Sequence, residues 1–209
     1  MSSEQSLGRQ TAAGTVRAHG VTWASLFGLA TAWLISVLAA RVGIPQVDPS
    51  LSDSPRPLET LGLVTAVLPV SWCAGALDDR AAWLTSSSSR GPARLRAVWV
   101  GVIALVMLVV GAVWVGCLPT AMPTLHAIGV WTLLCGCAVW AAVVLRPDLA
   151  VVGPLLVVVP FSIGGLVPFE CNLMYNVDLR GAVAATGTLL LVGGVVAFAL
   201  WGAGGARRP

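Results

Sequence analysis

In 209 residues the chain carries 57% hydrophobic side chains, 10% charged ones and a formal net charge of +3. Soluble domains hold roughly 25% charged residues, so a mean hydropathy of +0.88 excludes an ordinary water-soluble domain. The small positive charge gives no footing for nucleic-acid binding. All twelve basic residues are Arg, and Ala, Val, Gly and Leu dominate, as in a high-GC bacterial genome. The expected home is a bacterial inner (cell) membrane, with the lipid bilayer as the first partner.

The predicted architecture is all-α: a polytopic membrane protein with six transmembrane helices, none with an ionisable residue near its middle. Lipid cannot satisfy backbone hydrogen bonds, so apolar runs of this length must be helical. Residues 1–20 form a cytoplasmic tail, 21–201 the membrane domain and 202–209 a second cytoplasmic tail. Span 1 runs from Val21 to Ala40 and is closed by Arg41. Arg9 and Arg17 precede it and Leu38-Ala39-Ala40 resembles a signal-peptidase site, but some twenty apolar residues exceed the roughly 7–15 of a signal-peptide core, which favours a retained anchor. Residues 41–57 follow as an irregular connector with Pro45, Pro49, Pro55 and Pro57.

Span 2 runs from Leu61 to Leu77 and is closed by Asp78, Asp79 and Arg80. Residues 78–97 form the largest inner loop: Asp79 can cap a short helix holding Trp83 and Leu84, Ser86 to Ser89 interrupt it, and Gly91-Pro92 end it. Arg90, Arg94 and Arg96 lead into span 3, Val98 to Leu118. Span 4 is Leu125 to Leu145, span 5 Leu149 to Val167 and span 6 Ala182 to Trp201. The short connections make spans 3, 4 and 5 sequential antiparallel neighbours.

Span 5 contains Pro154 and Pro160, then Gly164, Gly165 and Pro168, so a kink or break is expected. Broken helices inside a membrane are tolerated where protein or a water-filled cavity covers the freed groups. Pro160 to Arg180, with Glu170, therefore either lines a pathway or folds back at the outer surface; a kinked packing helix is the alternative. On span 6, Gly181 with Ala185 and Gly193 with Ala197 are small residues four apart, suited to close helix packing within the chain first and a homodimer surface second. Trp23, Trp72, Trp99, Trp140 and Trp201 are expected at the inner boundary as anchors.

Arginine placement sets orientation. With the N-terminus inside, Arg9, Arg17, Arg80, Arg90, Arg94, Arg96, Arg146, Arg207 and Arg208 lie on the inner side, against Arg41, Arg56 and Arg180 outside. The expected topology is N-in and C-in.

Chemistry is sparse. His126 lies near the outer end of span 4 without a partner at ligand spacing, so no metal site is expected. Ser162 before Gly164-Gly165 has no histidine downstream to act as base. No catalytic residue and no cofactor is expected. Cys135 and Cys137 point to different helix faces and read as packing residues. Cys117 and Cys171 share the outer side, where an oxidising compartment can join them if their backbones come within reach. All nine carboxylates fall outside the spans or at their ends, which disfavours a self-sufficient proton-driven carrier.

Six spans with both termini inside, a cytoplasmic loop after span 2 and a bent segment between spans 5 and 6 resemble the membrane subunit of an exporter-type (ABC-2) ATP-binding cassette transporter. The resemblance implies that Asp78, Asp79, Arg80, Trp83 and Arg90 dock an ATP-binding subunit. It also implies that Phe161 to Arg180 form an outer cap. Gln5 to Gly20 depart from the amphipathic helix with which that family opens. The expected function is thus a permease-like subunit that works as a dimer with a separate ATPase and moves a small molecule, lipid or peptide. The alternative is a non-transporting accessory, immunity or assembly protein. A membrane-embedded enzyme ranks last.

Overall fold

The computed structural model describes residues 22–42, 61–78, 92–119, 123–145, 147–163 and 166–203. Among these there is no strand. Seven helices follow in order: α1 (Trp23–Ala39), α2 (Leu61–Thr65), α3 (Val67–Gly75), α4 (Pro92–Gly116), α5 (Thr124–Val144), α6 (Val152–Ser162) and α7 (Arg180–Trp201), with short 3-10 turns at Pro147–Leu149, Phe169–Cys171 and Val177–Leu179. Three helical stretches are long and apolar enough to cross a membrane: Ala93–Gly116, Thr124–Val144 and Val177–Trp201. Trp23–Ala39, Leu61–Gly75 and Pro147–Ser162 are apolar and shorter.

Local chemistry sets the helix limits. α1 starts on a capping box in which Thr22 Oγ1 accepts from the Ser25 amide at 3.2 Å and Ser25 Oγ accepts from the Thr22 amide at 3.4 Å. Between α2 and α3 the chain turns at Ala66. Pro69 has no amide to offer Thr65, the residue four before it, and its ring crowds that carbonyl. α4 begins at Pro92, six residues before the expected edge, so Arg94 and Arg96 are helical and do not belong to the loop. Proline suits the first helical position, and Ala93 to Ala97 contain no breaker. α7 ends at Gly202, whose φ of 74° is open to glycine at little cost.

α5 is the centre: 14 of its 21 residues are buried. Against it α7 forms a seam of glycines. A methyl on Gly136 would lie 2.7 Å from both Leu190 Cβ and the Leu191 nitrogen, and one on Gly187 would lie 2.7 Å from the Leu133 nitrogen. Gly129 and Gly194 continue the seam, each seven residues from its fellow, the repeat of helices packed nearly parallel: Gly129 meets Ala184 and Gly194 meets Val139, so the two chains run the same way. The foothold on α7 is therefore Gly187 and Gly194. Of the small residues expected to pack, Gly181 and Ala185 are exposed, whereas Ala197 is buried. On the remaining sides, Gly153 of α6 lets the Cys137 backbone approach closely, and Gly111 of α4 receives the ring of Trp131.

Tryptophans join the helices through their indole N–H groups. Trp131 donates to Met107 O at 3.0 Å, Trp140 to Leu190 O at 3.0 Å, Trp72 to Ser25 O at 2.8 Å and Trp99 to Ala76 O at 2.9 Å. In the first three cases the ring lies on a glycine, Gly111, Gly194 or Gly28, three or four residues beyond the acceptor. A missing Cβ there exposes the carbonyl one turn back. Trp72, Trp99 and Trp140, expected as boundary anchors, serve as interhelical donors; Trp23 and Trp201 are exposed. A fifth indole, Trp114, is fully buried, donates to Ser36 Oγ at 2.9 Å and stacks at 5.2 Å on Trp131. Ser36 Oγ in turn donates to Gly62 O at 3.2 Å, linking α4, α1 and α2.

These contacts fix helix direction. The start of α1 meets the end of α3 through Trp72, and the end of α3 meets the start of α4 through Trp99. Arg96, early in α4, lies 3.5 Å from Leu200 O near the end of α7. At the opposite end Ala40 packs on Gly62 and Trp114 reaches Ser36.

Candidate functional site

Buried asparagine, histidine and tyrosine side chains and a half-buried serine gather at the connection between α6 and α7. α6 contains Pro160 and stops at Ser162, with Ile163 already extended. From residue 166 the chain folds back as a plug over the head of α5. Pro168 precedes the first 3-10 turn, Glu170 sits exposed on it, and Met174 and Tyr175 are driven into the core. The expected cap residues Pro160, Pro168 and Glu170 therefore do share this region. Gly164 and Gly165 lie outside the described residues.

Two asparagines hold the plug. Asn172 Nδ2 donates to Phe161 O at 2.8 Å, a carbonyl left free at the end of α6, while Oδ1 accepts from the amides of Met174 at 3.0 Å and Tyr175 at 3.1 Å. Asn176 Oδ1 accepts from the Asp178 amide at 3.0 Å and Nδ2 donates to Phe169 O at 3.2 Å. Asn176 thus binds a donor and an acceptor of its own loop, whereas Asn172 binds two donors of the loop and an acceptor on α6, and both side chains are buried. Sequence reasoning passed over Asn172 and Asn176. Their signal was available, since two asparagines four apart beside an apolar run are residues with a strong tendency to bond nearby backbone.

His126, on the first turn of α5, is the histidine beneath the plug, and it is fully buried. Its Nε2 lies 2.9 Å from Met174 O, so Nε2 carries the proton and donates. Its Nδ1 is buried without a partner. Ser162 Oγ lies 3.2 Å from the Tyr175 hydroxyl. The serine faces a phenol and the imidazole faces a carbonyl, so the two are not arranged as nucleophile and base. Among the described residues no group of three or more His, Cys, Asp or Glu is arranged to hold a metal ion.

Of the expected docking residues, Asp78 lies just past the end of α3, half-buried, with its amide 3.2 Å from Gly75 O. Asp79, Arg80, Trp83 and Arg90 lie outside the described residues. Cys117 follows the end of α4 and Cys171 lies in the plug; both are exposed and carry free thiols. Cys135 is buried whereas Cys137 is half-buried beside Gly153, in keeping with side chains on different faces of α5.

Comparison with protein-family models, with curated proteins and with solved structures finds no match.

Proposed function

We propose that the chain crosses a bacterial inner membrane six times with both termini in the cytosol, and that it is the permease-like subunit of an ABC-type exporter. In this reading a separate ATPase subunit docks on the segment from Asp78 to Arg90, and two copies move a small molecule, lipid or peptide outward. The observation that carries the reading is the early end of α6 followed by an ordered, inward-folded plug before α7. That is the form the resemblance requires of Phe161 to Arg180. Further support comes from helix directions, which place the start of α1, the end of α3, the start of α4 and the end of α7 at one end of the bundle.

The test is purification in mild detergent. A nucleotide-binding protein is expected to copurify, and Asp79→Arg or Trp83→Ala is expected to release it. Recovery of the chain alone, unchanged by either substitution, overturns the permease reading. Compartment-sensitive reporters fused ahead of Val21 and near Ser88 test orientation separately, and signal from the periplasm at either position refutes it.

A second reading, a non-transporting accessory or assembly protein, is favoured by the closed surroundings of α5. Helices α3, α4, α6 and α7 all pack against it, which leaves a cargo to pass between copies. Cysteine crosslinking between protomers along α4 decides this point: crosslinks are expected of a paired permease and absent from a monomeric accessory protein.

A further inference from the structure

We propose that His126 is an acid-sensitive latch for the plug: its neutral ring holds the Met174 backbone in place, and a second proton releases residues 166–179 from the head of α5. The inference rests on the geometry beneath the plug and is independent of what the protein carries.

A carbonyl accepts and cannot donate, so the 2.9 Å contact to Met174 O fixes the ring proton on Nε2. Nδ1 then bears a lone pair in a site with no hydrogen-bond partner and no solvent, since the residue is 0% exposed. A proton added there would create a cation whose new N–H finds no acceptor among the described residues, a costly arrangement in an apolar interior. Among the described residues no counter-charge meets it. On the plug the charged groups are Glu170 and Asp178, and at the head of α7 Arg180; all three side chains are exposed. α6 offers only the Ser162 hydroxyl, which is engaged with Tyr175, and α4 offers Cys117, which is exposed. The one hydrogen bond of the imidazole is the bond to the plug. Moving the plug away is therefore the route by which water reaches Nδ1.

Burial of Met174 and Tyr175 holds the plug to the bundle, together with hydrogen bonds that include His126 to Met174 O, Asn172 to Phe161 O and Tyr175 to Ser162. Once released, the imidazole is open to water and to a second proton as the pH falls. The ratio of released to latched protein then rises by up to about tenfold for each further pH unit.

Tyr175 is the chain's single tyrosine, so biosynthetic 3-fluorotyrosine places one fluorine in the plug of the full-length protein. In detergent micelles, fluorine NMR from pH 8 to pH 5 is expected to show one buried resonance giving way to a second, solvent-exposed one. In His126→Gln, whose side-chain amide can donate to Met174 O but does not titrate, the buried resonance is expected to persist at pH 5. Glu170→Gln and Asp178→Asn are expected to keep the wild-type transition, and they carry the test should His126→Gln fail to fold. A wild-type resonance unchanged over this range overturns the proposal. So does a transition that survives in His126→Gln, or one that disappears with Glu170 or Asp178.

Discussion

Replacing Gly136 with alanine loads the tightest part of the seam between α5 and α7. The new methyl would sit 2.7 Å from both Leu190 Cβ and the Leu191 nitrogen, and 2.9 Å from the Leu190 carbonyl carbon. Two of those three atoms are backbone, so no side-chain rotation relieves the contact. Ordinary carbon contacts lie at about 3.5–4.0 Å, and α7 must retreat by about 1 Å to restore them. A gap of that size forfeits about a third of the attraction between facing atoms. Over about forty pairs at about 0.15 kcal/mol each, the loss is about 2 kcal/mol, within the roughly 1–3 kcal/mol typical of overpacking. Gly101 and Gly181 are the controls, because nothing lies within 4 Å of a methyl at either position. Alanine at either is expected to be neutral or to gain up to about 1 kcal/mol through helix propensity. The assay is reversible unfolding in mixed micelles by titration with dodecyl sulfate, followed by tryptophan fluorescence. Gly187→Ala strains the same seam, so combined with Gly136→Ala it is expected to cost less than the sum of the two, the retreat having been made once. Equal stabilities for Gly136→Ala and Gly101→Ala, to within about 0.5 kcal/mol, would refute the account of the seam.

Ser36→Ala removes the acceptor of the Trp114 indole and the donor to Gly62 O, leaving a buried N–H unpaired; the expected cost is about 1–3 kcal/mol, measured in the same titration. Combined with Trp114→Phe, it is expected to cost less than the sum of the single changes, since the orphaned donor is gone. Asn172→Ala deletes three bonds within and beneath the plug. Amide hydrogen exchange over residues 166–179 is expected to accelerate by more than about tenfold, while α5 and α7 keep their protection.

How far the sequence spoke for itself differs between edges and interfaces. Expected spans Leu125–Leu145 and Ala182–Trp201 match α5 and α7 to within two residues. Those edges follow from composition alone, because arginine, proline and acidic residues cluster where the apolar run stops. The early start of α4 was hidden by Arg94 and Arg96, which read as loop although a helix can carry both at its first turns. The break at Ala66 had a visible cause in Pro69, overlooked inside a span counted as continuous. Pro160, Pro168 and the glycines between them signal a kink or break, which left a pathway lining, a fold-back and a kinked packing helix all open. The fastening of the plug by Asn172, Asn176 and His126 was not foreseen, because a side chain that bonds the backbone of another segment leaves no periodic trace. The same holds for the indoles: Trp131 and Gly111 are twenty residues apart, and only the packing of α4 on α5 makes them a pair.

The interior chemistry and the apolar exterior have one physical explanation. α4 buries one stripe, Val100, Ile103, Met107, Gly111 and Trp114, and leaves Val98, Leu105, Val109 and Val113 exposed. α1 buries little beyond Ala32, Ser36 and Ala40 and presents Trp23, Phe27 and Leu34 outward. In water such surfaces would associate without order. In hydrocarbon they are solvated, and the hydrophobic effect no longer distinguishes inside from outside. What remains to hold helices together is close backbone approach and hydrogen bonding. Glycine at Gly129, Gly136, Gly187 and Gly194 supplies the first, and Trp72, Trp99, Trp114, Trp131 and Trp140 supply the second by donating across helices. An apolar exterior around an interior built from glycine seams and indole donors is what a bundle assembled in lipid requires. That agreement, reached from packing and not from hydropathy, is the strongest physical ground for the membrane reading.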